Sequence, residues 1–207
     1  MSLSTNQINQ IQSSLASGNI YYDDIKDELV DHRASAIERD MEEGLTFEQA
    51  MSNQLKNFNE SKFQREILLH THLGMLKNIF QEMGNFRILF KVLLMTLVIV
   101  GFMNLFAAEN PAYSETLLKV SMMIAITLSA ILGLFSTRLM RNSQVMAAGN
   151  TLFLMGSLSQ YFLRLEWLQW TGFSDQVLLH GLTFWFCLIL TAGFRLLANR
   201  ITKVQTI

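Results

Sequence analysis

Cysteine and proline are nearly missing from this chain, with one of each in 207 residues. Because Cys187 stands alone, no intrachain disulfide can form and there is no Cys-x-x-C site. Pro111 is the single proline, which leaves long stretches where nothing interrupts a helix. The opening residues, Met1-Ser2-Leu3-Ser4-Thr5-Asn6-Gln7, lack the basic and apolar stretches of a cleaved secretion signal. The first long apolar segment is therefore expected to act as the insertion signal itself. Acids are scarce in the second part of the chain. Residues 87–207 hold four acids against nine bases, a net of +5, whereas residues 1–86 hold thirteen acids against seven bases, a net of −6. The overall charge of −1 hides an acidic head and a basic, apolar tail, an asymmetry that suggests two regions in two solvents. An acidic head with no basic stripe repels phosphate, so nucleic-acid binding is not expected.

The tail contains four apolar runs, at about residues 88–108, 117–135, 145–165 and 177–197. A bilayer core about 30 Å thick needs roughly 20 apolar residues of helix, so four membrane spans are expected over 87–207. The separators read as loops: Glu109, Asn110, Pro111 and Glu115; then Arg138, Arg141 and Asn142; then Glu166, Gly172, Ser174 and Asp175. Lys77, Arg87, Arg138, Arg141, Arg195, Arg200 and Lys203 all fall on one predicted side. By the positive-inside rule that side is cytoplasmic and holds both termini. The other side carries an aromatic belt of Tyr113, Tyr161, Trp167, Trp170 and Phe173. The expectation is a multi-pass protein of the bacterial inner membrane.

Residues 1–60 read as a small all-α domain of three helices. Ser4 and Gln7 have capping-box spacing, as do Thr46 and Gln49. Ile8, Ile11 and Leu15 share one stripe on the first helix, which Gly18 is expected to end. Ile25, Leu29, Ala36, Ile37 and Met41 line the second helix, with Asp23 and Asp24 at its electropositive start. Gly44 ends it, with Leu45 placed to fold back. The third helix is expected to carry Phe47, Ala50, Met51, Leu55 and Phe58 inward. Residues 61–86 are expected to form an amphipathic linker helix in which Leu69, Leu73, Leu76, Phe80 and Met83 repeat at near-heptad spacing, a face widened by Ile67, Leu68, Ile79 and Phe86. That stripe needs a cover: the head itself, which is the preferred choice, or the inner leaflet, or the same helix of a second chain in a homo-oligomer.

The string Tyr21-Tyr22-Asp23-Asp24-Ile25-Lys26-Asp27-Glu28-Leu29-Val30-Asp31-His32, followed by Gly44, Thr46, Phe47, Glu48 and Ala50, resembles the head of small uncharacterised Bacteroidota membrane proteins. Those share an Asp-Glu-Leu-Val-Asp-His core and a Gly-x-Ser/Thr-Phe-Glu-x-Ala element. More weakly, it resembles the helical signalling domains associated with PadR-type repressors. The resemblance covers about the first 65 residues. It implies a regulatory or sensory membrane protein acting with a cytoplasmic transcription factor, and it brings no catalytic residues with it.

Candidate partner-binding residues are Asp27, Glu28, Asp31 and His32, clustered on one helix. The spacing is not that of a two-histidine zinc site, and a plain surface ion pair between Glu28 and His32 explains it as well. No catalytic residue, metal site or cofactor is expected. His70 and His72 point about 200° apart on a helix and cannot share an ion. Inside the spans, Asn150, Gln160 and His180 are the candidate functional polar groups, together with Ser157, Thr183 and Thr191. Hydrogen-bonded joints between helices are the plainer reading of them. Ala125, Ser129 and Gly133 repeat every four residues and are candidates for close helix packing. The leading expectation is a non-enzymatic regulatory or signalling membrane protein whose head binds a partner protein. The alternative is a small oligomeric transporter or channel subunit with a path lined by Asn150, Gln160 and His180. An intramembrane enzyme acting on lipid ranks last, because no acid–base pair or metal cluster is present.

Overall fold

The computed structural model describes the chain except residues 1, 17–19, 58, 107–110, 135 and 206–207, and describes residues 16, 57, 106, 111–112 and 129–134 by their backbone alone. The expected helix stop at Gly18, the inward Phe58 and the loop residues Glu109 and Asn110 therefore lie outside the described residues. Among the described residues the chain is helical throughout, with no strand. In order come α1 (Thr5–Ala16), α2 (Asp23–Glu42), α3 (Phe47–Asn57), α4 (Glu60–Met83), α5 (Phe86–Phe106), α6 (Pro111–Leu134), α7 (Thr137–Met140), α8 (Ser143–Phe162), α9 (Leu165–Leu168), a 3-10 turn (Gln169–Thr171) and α10 (Asp175–Gln205).

Two compact units divide the chain. The first is Met1–Thr71 together with Met140–Ser143, and the second is His72–Leu139 together with Gln144–Ile207. The boundary falls inside α4, so the expected linker helix is shared between them.

Local signals explain how the helices of the first unit begin and end. Ser4 and Gln7 form a reciprocal box: the Ser4 amide donates to Gln7 Oε1 (2.8 Å) and the Gln7 amide to Ser4 Oγ (3.4 Å). Thr46 and Gln49 repeat it at 3.0 and 3.3 Å. Asn59 starts α4 by accepting the Lys62 amide at 3.0 Å. Gly44, at φ 100°, closes α2, with its own amide donating to Met41 O and the Leu45 amide to Asp40 O. The core gathers Ile11, Leu15, Ile20, Ile25, Leu29, Val30, Ile37, Phe47 and Ala50, with Phe63, Ile67 and Leu68 of α4 packed against it. Burying each such aliphatic side chain contributes about 1.5–3 kcal/mol. Two expected core positions differ. Leu55 is 46% exposed, because only the Phe47–Met51 end of α3 joins the core. Ile8 sits at the rim, 38% exposed.

The second unit is built on antiparallel pairings. Between α8 and α10, Gln144 meets Arg200 (2.7 Å), Leu152 meets Gly193, and Ser159 meets Trp185 (3.0 Å). Between α6 and α8, Met122 and Ile126 meet Gly156, and the Gln160 side chain donates to Lys119 O (3.2 Å). Glu82, just before α5 starts, pairs with Arg195 near the end of α10 at 3.1 Å. Phe186, Ile189, Ala192, Leu152, Ile126 and Val92 are among the fully enclosed members of its core.

The structure divides the expected apolar stripe of the linker helix. On α4, the residues turned into the second unit's core are Met75, Ile79 and Met83. Leu69, Leu73 and Phe80 face outward, 59%, 53% and 53% exposed. Met75 and Ile79 lie roughly 80–160° around the helix from Leu69 and Leu73, so the buried side takes in Met83 from the edge of the expected stripe and leaves Leu69, Leu73 and Phe80 outside. Of the four expected spans, two coincide with helices that, among the described residues, are long and apolar enough to cross a membrane, Phe86–Leu105 and Asp175–Gln205. On α8, Asn150, Ser157, Ser159 and Gln160 dilute the apolar run, and on α6 the side chains of residues 129–134 lie outside the described residues.

Candidate functional site

The N-terminal end of α2 is the most elaborated polar region of the first unit. Asp23 and Asp24 occupy the first turn, where the helix dipole favours negative charge. Both carboxylates also reach the Met140–Ser143 segment. Asp24 accepts the Ser143 amide through Oδ1 (2.9 Å) and the Ser143 hydroxyl through Oδ2 (2.5 Å). Asp23 pairs with the Arg141 guanidinium, and the Asp23 amide donates to the Arg141 carbonyl at 2.8 Å. Ser143 is the first residue of α8, so Asp24 places an anion against amides that have no partner inside that helix. Tyr22 stands beside this cluster. Burial first, then Tyr21 and Asp24, push its phenol above the usual value of 10.0.

Along the same helix the four candidate partner-binding residues are all exposed. They spread over about 140° of the helix surface. Asp27 borders a recess of about 340 Å3 together with Gln12, Asp23 and Lys26, floored by Leu15 and Val30. Glu28 and His32 lie roughly 100–140° further round the helix, where the His32 ring stacks on Phe63 at 5.5 Å. Asp31 lies between the two groups. Among the described residues, no group of three or more His, Cys, Asp or Glu could hold a metal ion.

Arg33 escaped the sequence reading. Its side chain is 1% exposed, with one guanidinium nitrogen 2.7 Å from Glu60 Oε1 and the other 3.5 Å from Ser14 Oγ. It joins α1, α2 and α4. In sequence it sits among other charged residues of α2, and nothing local distinguishes a buried arginine from an exposed one.

In the second unit the candidate polar residues stand at separate levels. Asn150 is exposed. Gln160, ten residues along α8 and so about 15 Å away along the axis, is tied to the Lys119 carbonyl. His180 is partly buried near the start of α10. Other polar groups close on their own helix: Thr151 donates to Ala147 O (2.7 Å) and Thr183 to Leu179 O (2.8 Å), the arrangement that spares a hydroxyl an unpaired state in an apolar medium. For close packing, Ala125 is partly buried, and the side chains at Ser129 and Gly133 lie outside the described residues. The close approaches that are seen use two other glycines. A Cβ at Gly156 would stand 2.5 Å from Ile126 Cδ1, and one at Gly193 would collide with the Leu152 side chain.

In comparisons with known proteins, no family model, no curated protein and no solved structure matches the chain.

Proposed function

We propose that this chain is a non-enzymatic, multi-pass protein of the bacterial inner membrane that serves regulation or signalling. In this reading α5, α6, α8 and α10 are four spans, and both termini lie in the cytoplasm. Three features support the placement. The long helices of the second unit pair antiparallel, with Glu82–Arg195 and Gln144–Arg200 at one end. The opposite end carries exposed aromatics, where Tyr161 and Trp167 meet edge-on at 6.0 Å and flank Arg164. Such amphipathic rings suit a membrane–water boundary. Only 22% of the apolar window in α5 is buried, and a helix so apolar and so open is stable against hydrocarbon rather than water.

The head binds a cytoplasmic partner protein through α2. The observation that carries this reading is the exposed acidic face Asp27, Glu28 and Asp31, lying directly beyond the Asp23–Asp24 cluster that grips the start of α8. A partner that pulls on this face shifts the equilibrium of the Asp24–Ser143 contact, and through it the first turn of α8.

Two experiments test the proposal. A photo-crosslinker placed at Glu28 in the full chain should capture one cytoplasmic protein in cells, and the D27N/D31N variant should lose it. Recovery of chaperones alone defeats the partner reading. Single cysteines in a C187A background test the topology: S174C should react with an impermeant reagent from outside, and N142C only after the membrane is opened. The reverse pattern, or a chain that stays dissolved without detergent, defeats the membrane reading.

A further inference from the structure

A polar cavity of about 290 Å3 opens in the second unit between the end of α4 and the end of α10, lined by Asn78, Gln81, Glu82, Asn85, Leu196 and Arg200. Its chemistry favours an anion. The one carboxylate, Glu82, is engaged by Arg195 at 3.1 Å. Arg200 spends one donor on Gln144 at 2.7 Å, and a guanidinium has five. Asn85 uses its Oδ1 to accept the Arg87 amide at 3.0 Å, so its NH2 group remains to donate. Arg200 is the one guanidinium in the lining, and Arg195, outside the lining, offsets the charge of Glu82, so the balance of the cavity is cationic, with amide donors around it.

The position of the cavity narrows the class of ligand. It lies where apolar α5 begins and where α10 changes from apolar to basic residues, with Arg195, Arg200 and Lys203 in its last turns. We propose that this cavity is a phosphate-binding site that takes the head group of an anionic phospholipid, with Arg200 as the principal contact and the Asn78 and Asn85 amides completing the cradle. A guanidinium matches two phosphate oxygens at once, which an ammonium cannot do. The lipid source rests on the membrane reading above; the phosphate chemistry does not.

The test uses the full chain, purified in neutral detergent and titrated with phosphatidylglycerol, phosphatidylcholine or inorganic phosphate, with lipid retention read by native mass spectrometry and the shift in unfolding temperature read in parallel. Wild type should retain phosphatidylglycerol in preference to phosphatidylcholine. R200Q should weaken that retention about tenfold, the loss expected for one charged hydrogen-bonded contact. N78D, which sets a carboxylate in the cradle, should weaken it at least as much. K203Q removes the same charge outside the cavity and should leave retention within about twofold. An Arg200-dependent shift with inorganic phosphate alone supports the phosphate chemistry and assigns the source to solution. Equal retention of the two lipids, or equal loss in R200Q and K203Q, overturns the site. A chain that needs no detergent defeats the membrane reading separately, since the inorganic phosphate arm still reports on the cavity.

Discussion

The carboxylate of Asp24 accepts both the amide and the hydroxyl of Ser143, a residue 119 positions further along the chain. Two hydrogen bonds to one ionised acceptor at the start of a helix combine capping with favourable charge–dipole interaction. The contact is flanked by the Asp23–Arg141 ion pair, which is about half exposed and adds little by itself. In this cluster the hydrogen-bonded Asp24 contributes most of the stabilisation.

Replacing Asp24 by alanine removes both bonds and leaves the Ser143 amide without its acceptor. The expected cost is about 1–2 kcal/mol, the range for losing a helix cap. Hydrogen exchange at residues 141–146 of the full chain should accelerate accordingly. S143A keeps the amide bond and should show a smaller change. Equal protection in wild type and D24A would remove Asp24 from the account.

Arg33 is buried with Glu60 as its ion partner. R33A leaves that carboxylate uncompensated, and the opening of α2 should become easier by about 3 kcal/mol, at the lower end for breaking a buried pair because Glu60 keeps partial access to water. The paired change R33M/E60M removes both charges and should restore most of the loss. Exchange protection at Leu29 to Ile37 measures both effects. A double variant as weak as R33A would mean that the ion pair itself, and not the stranded charge, carries the stability.

Gly193 and Gly156 set how closely α10 and α6 approach α8. At Gly193 a new Cβ meets the body of Leu152, while at Gly156 the nearest atom is the far end of Ile126, which can turn away. G193A should therefore cost about 1–3 kcal/mol, as overpacking does, and G156A should cost less. L152A in the G193A background should recover part of the loss. Unfolding midpoints in detergent give the order, and a larger effect at Gly156 would contradict it.

Tyr22 supplies a pH dependence. Its phenol is raised in the folded chain, chiefly by burial and then by Tyr21 and Asp24. The folded state therefore holds that proton more tightly than the unfolded state does. Its contribution is fully present below the usual value of 10.0 and is lost as pH rises through the raised one. Unfolding midpoints of wild type and Y22F should converge or cross between neutral pH and pH above about 10, with wild type the more alkali-sensitive. A constant difference across that range would show that Tyr22 does not titrate within the fold.

The features that follow from the sequence are those whose causes lie within four or five residues. The Ser4–Gln7 and Thr46–Gln49 boxes, the stop at Gly44, the acidic start of α2, the helical class and the apolar character of α5 and α10 all belong to this group. Each rests on the local periodicity of one helix or on a cap that a single turn completes. On α4 the apolar stripe is legible but its inward edge is not: Ile79 and Met83 are buried while Leu69, Leu73 and Phe80 are exposed. A helix with leucines and methionines around most of its circumference has no unique inward face until its neighbours choose one.

The fold alone decided that Met75 turns inward while Leu69 and Leu73 turn out, that Arg33 is enclosed, that Gly156 and Gly193 bring α6 and α10 close to α8, and that Asp24 finds Ser143. Each of these pairs residues on different helices. Which side chains meet depends on how every helix is rotated and shifted against the rest, a property of the packed whole that no single segment encodes.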